Sequence, residues 1–249
     1  MGYNQDMYAN AWKGRASMPN KLELMELQTK ALFTHDSEFL IRSINDPDGK
    51  PAPRFFLGRT TEGNVLRFRY DLPQDISRKL ADLIAQEPVS CYLKRDAALL
   101  KKINEVLGEH REVEKAYEGP AYRIPKGNPF PSDVIRITQD NVHLLKNSFD
   151  YMLTELPYWE PCFVKFEDGN AASICFSSRI ATASHEAGVE TLPVFRGKGY
   201  AAQAVAAWAQ AIYEMGKLPT YSTSWENTAS QAVARKLNCE LYGVDLSVY

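Results

Sequence analysis

The sequence predicts a mixed α/β (α+β) protein, with a central mixed sheet and flanking helices in the C-terminal half and a smaller α+β domain before it. Three observations support this fold class. Strand-like and helix-like segments follow one another in a clear order from Ser132 onward. A glycine-bearing turn joins a strand to a helix within Val189–Met215. A stretch dense in proline and glycine, Glu118–Pro131, separates the two halves, because neither a helix nor a sheet tolerates that density.

This proline-rich stretch is the predicted domain boundary. It contains four prolines and two glycines. Its aromatic residues, with Tyr122 and Phe130 among them, predict a connector that packs against both halves. We therefore expect an N-terminal α+β domain over residues 1–125 and a second domain over residues 126–249.

The N-terminal domain is predicted from short segments. Apolar spacing predicts an amphipathic helix over Asn20–Phe33, and Phe39–Ile44 is expected to continue it. The further predicted elements are the strands Arg54–Gly58 and Val65–Tyr70 around a turn at Thr60–Asn64, the helix Gln74–Gln86 capped by Asp71, and the helix Lys94–His110.

Basic and aromatic residues recur along these two strands, as they do on some surfaces that bind single-stranded nucleic acid. An ordinary sheet with basic residues on its solvent-facing side gives the same pattern. The formal net charge of −2 favours the ordinary sheet and argues against a nucleic-acid partner.

Composition and residue pattern argue against several other classes of protein. The chain has 249 residues, of which 45% are hydrophobic, so it can bury a sizeable core. No apolar run approaches the length of a membrane span, and the first residues lack a signal-peptide core, so we expect no membrane association and a cytoplasmic location. Scattered cysteines and isolated histidines predict no metal site. These residues are Cys91, Cys162, Cys175, Cys239, His35, His110, His143 and His185.

The second domain has the order strand, helix, three strands, helix, strand, helix and strand. Its predicted elements are the strand Val134–Thr138, a short helix around Val142 to Phe149, the strands Pro161–Phe166 and Ala171–Ile180, a strand from Val189 to Val194, a helix from Ala201 to Met215, the strand Pro219–Trp225, the helix Thr228–Leu237 and the strand Cys239–Val248. Asp168-Gly169 is a strong signal for a hairpin between two of these strands.

The turn Phe195–Gly199 is the main candidate site. A glycine-bearing turn at the start of a helix exposes several backbone N–H groups, and together with the helix dipole these make an anion site. Side chains in place of Gly197 and Gly199 would hold a phosphate away from the backbone. Arg196 and Lys198 add positive charge at the rim. The turn is therefore predicted to bind a phosphate group.

Two other phosphate-binding loops fit this turn less well. Gly197, Gly199 and Ala202 match the alanine variant of the dinucleotide fingerprint, but too little chain follows to build a doubly wound sheet. A P-loop ends in Gly-Lys-Ser/Thr, whereas Gly197-Lys198 is followed by another glycine.

The turn and the strand before it resemble the acyl-CoA loop of the GNAT superfamily of N-acetyltransferases. That family's motif is Arg/Gln-x-x-Gly-x-Gly/Ala after a strand that ends in a Leu-x-Val-like pattern. Arg196, Gly199 and Ala201 occupy the three fixed positions, and Leu192 and Val194 occupy the strand positions. The element order of the second domain is also that of a GNAT core.

A second segment adds an independent resemblance. Asn227-Thr-Ala-Ser230 followed by Ala234–Leu237 is similar to the family's Asn-x-x-Ala/Ser…Lys-Leu-Gly segment. The resemblance covers about half of the chain, from Ser132 to Tyr249. The Gly-Pro-Ala-Tyr connector and the two-part layout also resemble the zwittermicin-resistance group within the superfamily.

The resemblance implies roles for the candidate residues. Backbone groups of Leu192 and Val194 would pair with the pantetheine arm of acetyl-CoA as a further strand does. N–H groups of the turn would hold the pyrophosphate. Asn227 and Ser230 would touch the cofactor, or would serve only as the helix N-cap and a first-turn residue. The implied cofactor-binding residues are Leu192, Val194, Arg196, Gly197, Lys198, Gly199, Tyr200, Ala201, Asn227 and Ser230.

The implied reaction needs a neutral amine, so a general base contributes to it. Glu190 is the predicted catalytic base, because it shares a strand face with Leu192 and GNAT enzymes often carry an acidic residue near this position. A solvated carboxylate at a strand end is the other interpretation, and His185 and Glu186 are weaker candidates. Many GNAT enzymes place a tyrosine, the acid for the departing sulfur, where this chain has Ala234.

The sequence therefore predicts an N-acetyltransferase that moves the acetyl group of acetyl-CoA to a small-molecule amine by direct attack, without a metal. The N-terminal domain would shape the acceptor pocket. A non-catalytic module that binds or senses acyl-CoA is the alternative, and thioester consumption separates the two. The sequence fixes neither the acceptor amine nor the oligomeric state.

Overall fold

A computed structural model describes residues Met18–Val89 and Tyr92–Tyr249. The chain forms two compact units. The C-terminal unit comprises residues 123–221 and 229–240, and the N-terminal unit comprises residues 19–122, 222–228 and 241–249. The first break lies close to the predicted boundary between residues 125 and 126, and the end of the chain groups with the N-terminal unit.

The described helices and strands follow the predicted order in the second half of the chain. The first elements are α1 Lys21–Leu32, β1 Phe33–His35, β2 Ile41–Ile44, β3 Phe55–Thr60, β4 Gly63–Phe68, α2 Gln74–Gln86, α3 Ala97–Gly108 and β5 Ala116–Arg123. The later elements are β6 Val134–Ile137, a 3-10 turn Val142–Leu145, α4 Met152–Trp159, β7 Cys162–Glu167, β8 Asn170–Ile180, β9 Ser184–Thr191, a 3-10 turn Pro193–Phe195, α5 Tyr200–Glu214, β10 Leu218–Ser222, α6 Thr228–Lys236 and β11 Glu240–Val248.

In the N-terminal unit the strands lie side by side in the order β4, β3, β11 and β5. Strand β3 pairs antiparallel with both β4 and β11. Apolar residues of α2 and α3 share one core with Phe55 and Leu57 of β3 and with Leu246 and Val248 of β11. Burial of these side chains fixes the two helices against the sheet, since each buried aliphatic or aromatic group contributes about 1.5–3 kcal/mol.

Helix α1 confirms the helix predicted at Asn20–Phe33. It begins with a capping box, in which the Asn20 side chain accepts a hydrogen bond from the Glu23 N–H and the Glu23 carboxylate accepts one from the Asn20 N–H. The segment Phe39–Ile44, predicted to continue the helix, is instead turn and strand. Phe39 adopts a left-handed φ of 62°, which breaks any helix and leads the chain into β2.

Two further N-terminal predictions are wrong. Asp71 does not cap α2, because its carboxylate pairs with Arg69 at 2.6 Å and Pro73 precedes the helix. The proline-rich stretch is partly a strand, since β5 continues to Arg123. Pro120 fits there because its carbonyl accepts a hydrogen bond from a neighbouring N–H and no donor is required of it.

In the C-terminal unit five strands form a mixed sheet in the order β6, β7, β8, β9 and β10. Neighbours from β6 to β9 are antiparallel, and β10 runs parallel to β9. The β7–β8 hairpin turns through Asp168 and Gly169, with φ values of 49° and 78°. Positive φ at both positions is the geometry for which Asp-Gly is selected. The predicted mixed sheet is thus confirmed.

Helices cover both faces of this sheet. On one face, Met152 and Leu156 of α4 share a core with Val164 and Ile174. On the other face lies α5, which packs against β7, β8 and β9. Because successive strand residues point to opposite faces, even-numbered residues of β9 face the α4 side and odd-numbered residues face the α5 side. In the described part of the chain, every helix is too short or too polar to cross a bilayer.

Candidate functional site

Strand β9 has a closed end, Ser184–Glu186, and an open end, Ala187–Thr191. Over the closed end it pairs with β8 on one side and β10 on the other. The pairing with β10 stops at Glu186, whereas the pairing with β8 continues through the open end. No described strand other than β8 and β10 neighbours β9. One edge of the open end is therefore unpaired.

The register identifies the backbone groups that face this open edge. The Leu192 N–H donates to the Ala172 carbonyl of β8 at 3.1 Å. Residues of an antiparallel pair alternate between bonding to the partner strand and facing away from it. The N–H and C=O groups of Val189 and Thr191 consequently point to the open edge. A further extended chain can pair there with both groups of Val189 and with the Thr191 N–H, whereas the Thr191 C=O accepts a hydrogen bond from the Arg196 side chain.

The strand ends earlier than predicted. We expected it to reach Val194, but β9 ends at Thr191 and Pro193–Phe195 form a 3-10 turn. Proline has no N–H to donate and its ring fixes φ, so the ladder cannot continue through it. Leu192 keeps its bond to β8, and Val194 projects into solvent with 77% of its surface exposed.

The turn that follows has the backbone geometry that glycine allows. Gly197 and Gly199 have φ values of 79° and 82°, which residues with a side chain rarely adopt. Gly199 directly precedes α5, and no described side chain caps that helix. The first N–H groups of α5 have no acceptor within the helix and point out of its N-terminus. The turn therefore has the backbone geometry that the predicted anion site requires.

Three cationic side chains lie at this turn. The Lys236 ammonium reaches it from the end of α6, since a β-carbon at Gly199 would come within 2.1 Å of Nζ. Lys198 is part of the turn, and the Arg196 Nε donates to the Thr191 carbonyl at 3.3 Å. A cation beside a helix N-terminus is unfavourable alone, because the helix dipole places partial positive charge there. The cluster therefore favours a bound anion.

One carboxylate fixes the turn to the sheet. Glu167, at the end of β7, pairs with the Lys198 Nζ at 3.2 Å and accepts a hydrogen bond from the Tyr200 hydroxyl. The Lys165 Nζ lies 5.2 Å from the centre of the Tyr200 ring and pairs with Asp133. These contacts hold the start of α5 against the end of β7.

The closed end of β9 carries a buried polar chain. An ammonium group only donates, so the Lys217 Nζ donates to the His185 Nε2 at 2.9 Å. The His185 Nδ1 therefore carries a proton and donates to the Ser177 hydroxyl at 2.9 Å, which also accepts from Trp208 at 3.1 Å. Burial, and secondarily the Lys217 charge, lowers the pKa of His185 to about 3. The His185 side chain is only 1% exposed, which suits a structural role. Its neighbour Glu186 is also buried.

The predicted base, Glu190, lies at the open end and is exposed. It is paired with Ile174 of β8, on the sheet face that α4 covers. Tyr151, immediately before α4, packs on the same face and its hydroxyl oxygen is buried. Burial first, and then the neighbouring Glu190 carboxylate, raises the pKa of Tyr151 above its usual range. A tyrosine hydroxyl therefore lies beside the candidate base.

Two hydroxyl groups lie close together at the start of α6. Ser230, in the first turn of α6, shares a hydrogen bond of 2.5 Å with the Tyr221 hydroxyl of β10. Burial raises the pKa of Tyr221, so this phenol stays protonated near neutral pH. Asn227 directly precedes α6 in the chain. Ala234 is 2% exposed and presents only a methyl group where many GNAT enzymes have a tyrosine.

The described cysteines are not reactive groups. Burial raises the pKa of Cys162 and Cys239 to about 12 and that of Cys175 well above its ordinary value. Thiols of this kind stay protonated at neutral pH and are poor nucleophiles. Cys91 lies outside the described residues. In the described ranges, no three His, Cys, Asp or Glu side chains converge as a metal site does.

A family model for GNAT acetyltransferases matches residues 162–242. This range, the GNAT segment, is therefore similar to GNAT acetyltransferases. The match runs from β7 to β11 and includes both segments that resemble the family motifs. It covers about a third of the chain. A search among curated proteins finds no match to the chain.

Several of the solved structures that resemble the chain are described as GNAT-family proteins. A GCN5-related N-acetyltransferase-like protein from Streptococcus suis has 18% identity and a TM-score of 0.45, over 80% of this chain and 85% of that one. A GNAT-family acetyltransferase from Colwellia psychrerythraea has 13% identity and a TM-score of 0.47, over 93% and 98%. A GNAT-family protein from Novosphingobium aromaticivorans has 16% identity and a TM-score of 0.42, over 55% of this chain and 66% of that one, just under two thirds of its length.

The GNAT segment brings most of the predicted cofactor residues together at the junction of β9 and α5. These residues are Arg196, Gly197, Lys198, Gly199, Tyr200 and Ala201. Leu192 and Val194 lie just before them, beyond the end of the strand. Contact with a cofactor stays a prediction for all of these residues, as it does for Asn227 and Ser230.

Sequence reasoning missed residues that only the fold brings to the site. Lys236 belongs to the recognised segment Ala234–Leu237, but the sequence does not say where its side chain points. Glu167 immediately precedes the predicted Asp168-Gly169 hairpin, and the sequence gives no sign that its carboxylate would pair with the basic loop 31 residues later. Tyr151 lies just beyond the short helix predicted around Val142 to Phe149, and its position beside Glu190 depends on how α4 packs.

Proposed function

We propose that this GNAT protein transfers the acetyl group of acetyl-CoA to an amine on a small molecule. The observation that carries the proposal is the junction of β9 and α5, where an open strand edge leads directly into a cation-lined helix N-terminus. A strand edge followed by an anion site suits a ligand that has an amide-bearing arm attached to a pyrophosphate. Acetyl-CoA has this chemistry, with the thioester at the far end of the arm.

The turn would hold the pyrophosphate. The absence of a side chain at Gly199 leaves the N–H groups at the start of α5 accessible, and a β-carbon there would collide with Lys236. Anions at a helix N-terminus gain about 0.3–1 kcal/mol from the dipole. Charge-assisted hydrogen bonds from Arg196 and Lys198 would add to this, since such bonds are about twice as strong as neutral ones. The residues present therefore fit a diphosphate group.

The pantetheine arm would lie along the open edge of β9. Both backbone groups of Val189 and the N–H of Thr191 face that edge and support pairing with the amide groups of the arm. The N–H of Leu192 is already bonded to β8. We therefore assign the implied contribution of Leu192 and Val194 to side-chain contact instead of strand-like pairing.

The proposed reaction is direct attack by the neutral amine nitrogen on the thioester carbonyl carbon. The new C–N bond forms as the C–S bond breaks. Glu190 takes the amine proton directly or through water, a contribution of roughly 10²–10⁴-fold for a positioned base. Coenzyme A leaves as a thiolate, which is stable enough near neutral pH because an unperturbed thiol has a pKa of about 8.5. Ser230, bonded to Tyr221, would donate a hydrogen bond to the sulfur.

A non-catalytic acyl-CoA-binding protein is the second candidate function. One observation favours it, namely the buried methyl group of Ala234 at the position of the usual tyrosine acid. For either function we propose a cytoplasmic location, because the described cysteines are free thiols as expected in a reducing compartment.

Release of free thiol from acetyl-CoA tests the proposal. The protein is incubated with acetyl-CoA and a pool of amines of different classes, with peptides that carry a free N-terminus as a separate pool. We expect thiol release that requires both acetyl-CoA and the small-amine pool, with an acetylated amine detected by mass spectrometry. Binding of acetyl-CoA without thiol release from either pool would support the non-catalytic function instead. Release with the peptide pool alone would move the acceptor class from small amines to proteins.

A further inference from the structure

The Tyr151 hydroxyl lies at the proposed base. Glu190 and Ile174 are directly opposite each other on β9 and β8, so their side chains share a sheet face. Ile174 belongs to the core against which the Tyr151 ring packs. The hydroxyl oxygen of Tyr151 is buried, whereas Glu190 is exposed. The phenol therefore approaches the carboxylate from the protein side and leaves its outer side open.

Three titratable groups from the surrounding elements face the Tyr151 hydroxyl, and two of them are poor acceptors for it. Besides Glu190 of β9 they are Cys162 of β7 and Glu155 of α4. The Cys162 thiol is neutral, because burial raises its pKa to about 12. The Glu155 carboxylate already accepts a hydrogen bond from the Trp159 indole at 3.2 Å. Glu190 is thus the group best placed to accept a hydrogen bond from the Tyr151 hydroxyl.

We propose, building on the proposed acetyl transfer, that Tyr151 is a positioning residue that donates a hydrogen bond to Glu190 and holds its carboxylate toward the acceptor amine. A side chain at the exposed end of a strand otherwise samples several rotamers. The buried phenol fixes one carboxylate oxygen, and the second oxygen stays available to the amine.

The carboxyl resonance of Glu190 tests the pair without any need for activity. The protein is labelled with ¹³C-glutamate, and the Glu190 resonance is assigned by its loss in Glu190→Gln. In Tyr151→Phe we expect the chemical shift of this resonance to change, because the carboxylate loses the hydrogen bond from the phenol. Tyr158→Phe is the matched control, because Tyr158 lies in α4, the helix that Tyr151 directly precedes, and has an exposed ring. An unchanged Glu190 chemical shift in Tyr151→Phe overturns the proposal.

The rate of acetyl transfer tests the role of the pair. In Tyr151→Phe kcat/KM should fall several-fold, but adding Tyr151→Phe to Glu190→Gln should cause no further loss, because the phenol acts through the carboxylate. In Tyr158→Phe kcat/KM should not change. A changed Glu190 resonance with an unchanged kcat/KM also overturns the proposal, because Glu190 would then be paired but not positioned for catalysis.

Failure of the proposed function gives a different result. If no amine is acetylated, yet Tyr151→Phe shifts the Glu190 resonance, the pair is supported and the acetyl transfer is refuted. Tyr151→Phe removes a single oxygen, but the variant could fold poorly. The reciprocal variant Glu190→Gln then serves, since with ¹³C-labelled tyrosine the pKa of Tyr151 should fall once the neighbouring charge is removed. An unchanged Tyr151 pKa in that variant overturns the proposal.

Discussion

The two ends of strand β9 differ in pairing, burial and hydrogen bonding, although Glu186 and Glu190 are close together in the sequence. The closed end has strands on both sides, and the Thr220 hydroxyl of β10 donates to the His185 carbonyl at 3.0 Å. Its side chains are buried and bonded within the sheet. The open end has lost β10, exposes Glu190 and leads into the glycine turn before α5.

The difference shows that residue type alone does not identify a functional position on this strand. His185 is the more familiar general base, but it is buried and its pKa is lowered to about 3, so it accepts a proton poorly near neutral pH. Glu190 is a less familiar candidate, yet it lies where the sheet opens. We expect substitutions at the open end to alter ligand binding and rate, and substitutions at the closed end to alter stability.

The largest expected effect is at the turn beyond the open end. Acetyl-CoA should stabilise the wild-type protein by about 2.7 kcal/mol at a hundredfold excess over Kd. Gly199→Glu should abolish this stabilisation, because the new side chain adds bulk at Lys236 and negative charge at the phosphate site. A thermal-shift titration measures it. Gly169→Glu is the matched control, since Gly169 also has positive φ and has open space around its β-carbon position. Equal stabilisation of wild type and Gly199→Glu would refute the loop assignment.

At the closed end, His185→Ala should lower the free energy of unfolding by about 1–3 kcal/mol, because the Lys217 ammonium loses its acceptor and the buried Ser177 hydroxyl loses the donor at Nδ1. For a chain of this size that is a fall in Tm of several degrees, at about 2–4 °C per kcal/mol. Acetyl-CoA affinity should stay unchanged. Thermal unfolding with and without ligand measures both quantities. A stable variant that no longer binds acetyl-CoA would contradict the division between the two ends.

The same histidine gives a pH dependence. Unfolded His185 takes up a proton near pH 6.5, whereas native His185 does so only near pH 3. The unfolded state therefore binds more protons between these values, and wild-type stability should fall as pH decreases through this range. In His185→Ala the fall should be shallower, measured as the free energy of unfolding against pH. Parallel curves for the two proteins would show that His185 is not the buried neutral group described above.

Glu190→Gln should lower the chemical rate by at least about tenfold, within the usual range for a lost base, and should remove the acidic limb of the pH–rate profile. Because the side chain is exposed, Tm should stay near the wild-type value. Single-turnover acetyl transfer and thermal unfolding measure the two effects. An unchanged rate and profile would return Glu190 to the role of a solvated carboxylate at a strand end.

Lys236→Ala gives a smaller expected effect, a loss of about fivefold in acetyl-CoA affinity, since its partly solvated ammonium forms at most one charge-assisted contact. Arg235→Ala is the control, because it removes the same charge from the neighbouring position of α6. Calorimetric titration with acetyl-CoA and with acetyl-pantetheine separates the phosphate contribution. The Lys236 effect should disappear for acetyl-pantetheine, which lacks the pyrophosphate. Equal losses for Lys236→Ala and Arg235→Ala would indicate only a long-range charge effect.

The sequence was most informative where local chemistry decides the structure. The glycines of the turn, the start of α5 and the Asp168-Gly169 hairpin depend on φ values that few residues adopt, so the residue types predict them directly. Pro193 could also have placed the end of β9, because proline cannot continue a ladder. The helix prediction for Phe39–Ile44 was wrong, because a short apolar run fits either a helix or a strand.

The remaining parts of the site depend on tertiary structure. The open edge exists because β10 pairs with β9 over only three residue pairs. No residue of β9 predicts where this pairing stops. Lys236 reaches the turn from the far end of α6, and Tyr151 reaches Glu190 through the packing of α4. Each of these contacts joins segments more than 30 residues apart in sequence. The sequence therefore predicts the glycine turn and offers Glu190 as a candidate base, but it does not predict the groups that surround them.

The central claim is that the open edge of β9 receives the arm of acetyl-CoA. Amide hydrogen exchange, followed residue by residue by NMR with and without acetyl-CoA, tests it most directly. We predict slower exchange at Val189 and Thr191 and in the first turn of α5 when the ligand is bound, and no change at Leu192, whose N–H is already bonded to β8. Unchanged exchange at Val189 and Thr191 under saturating acetyl-CoA would contradict the claim.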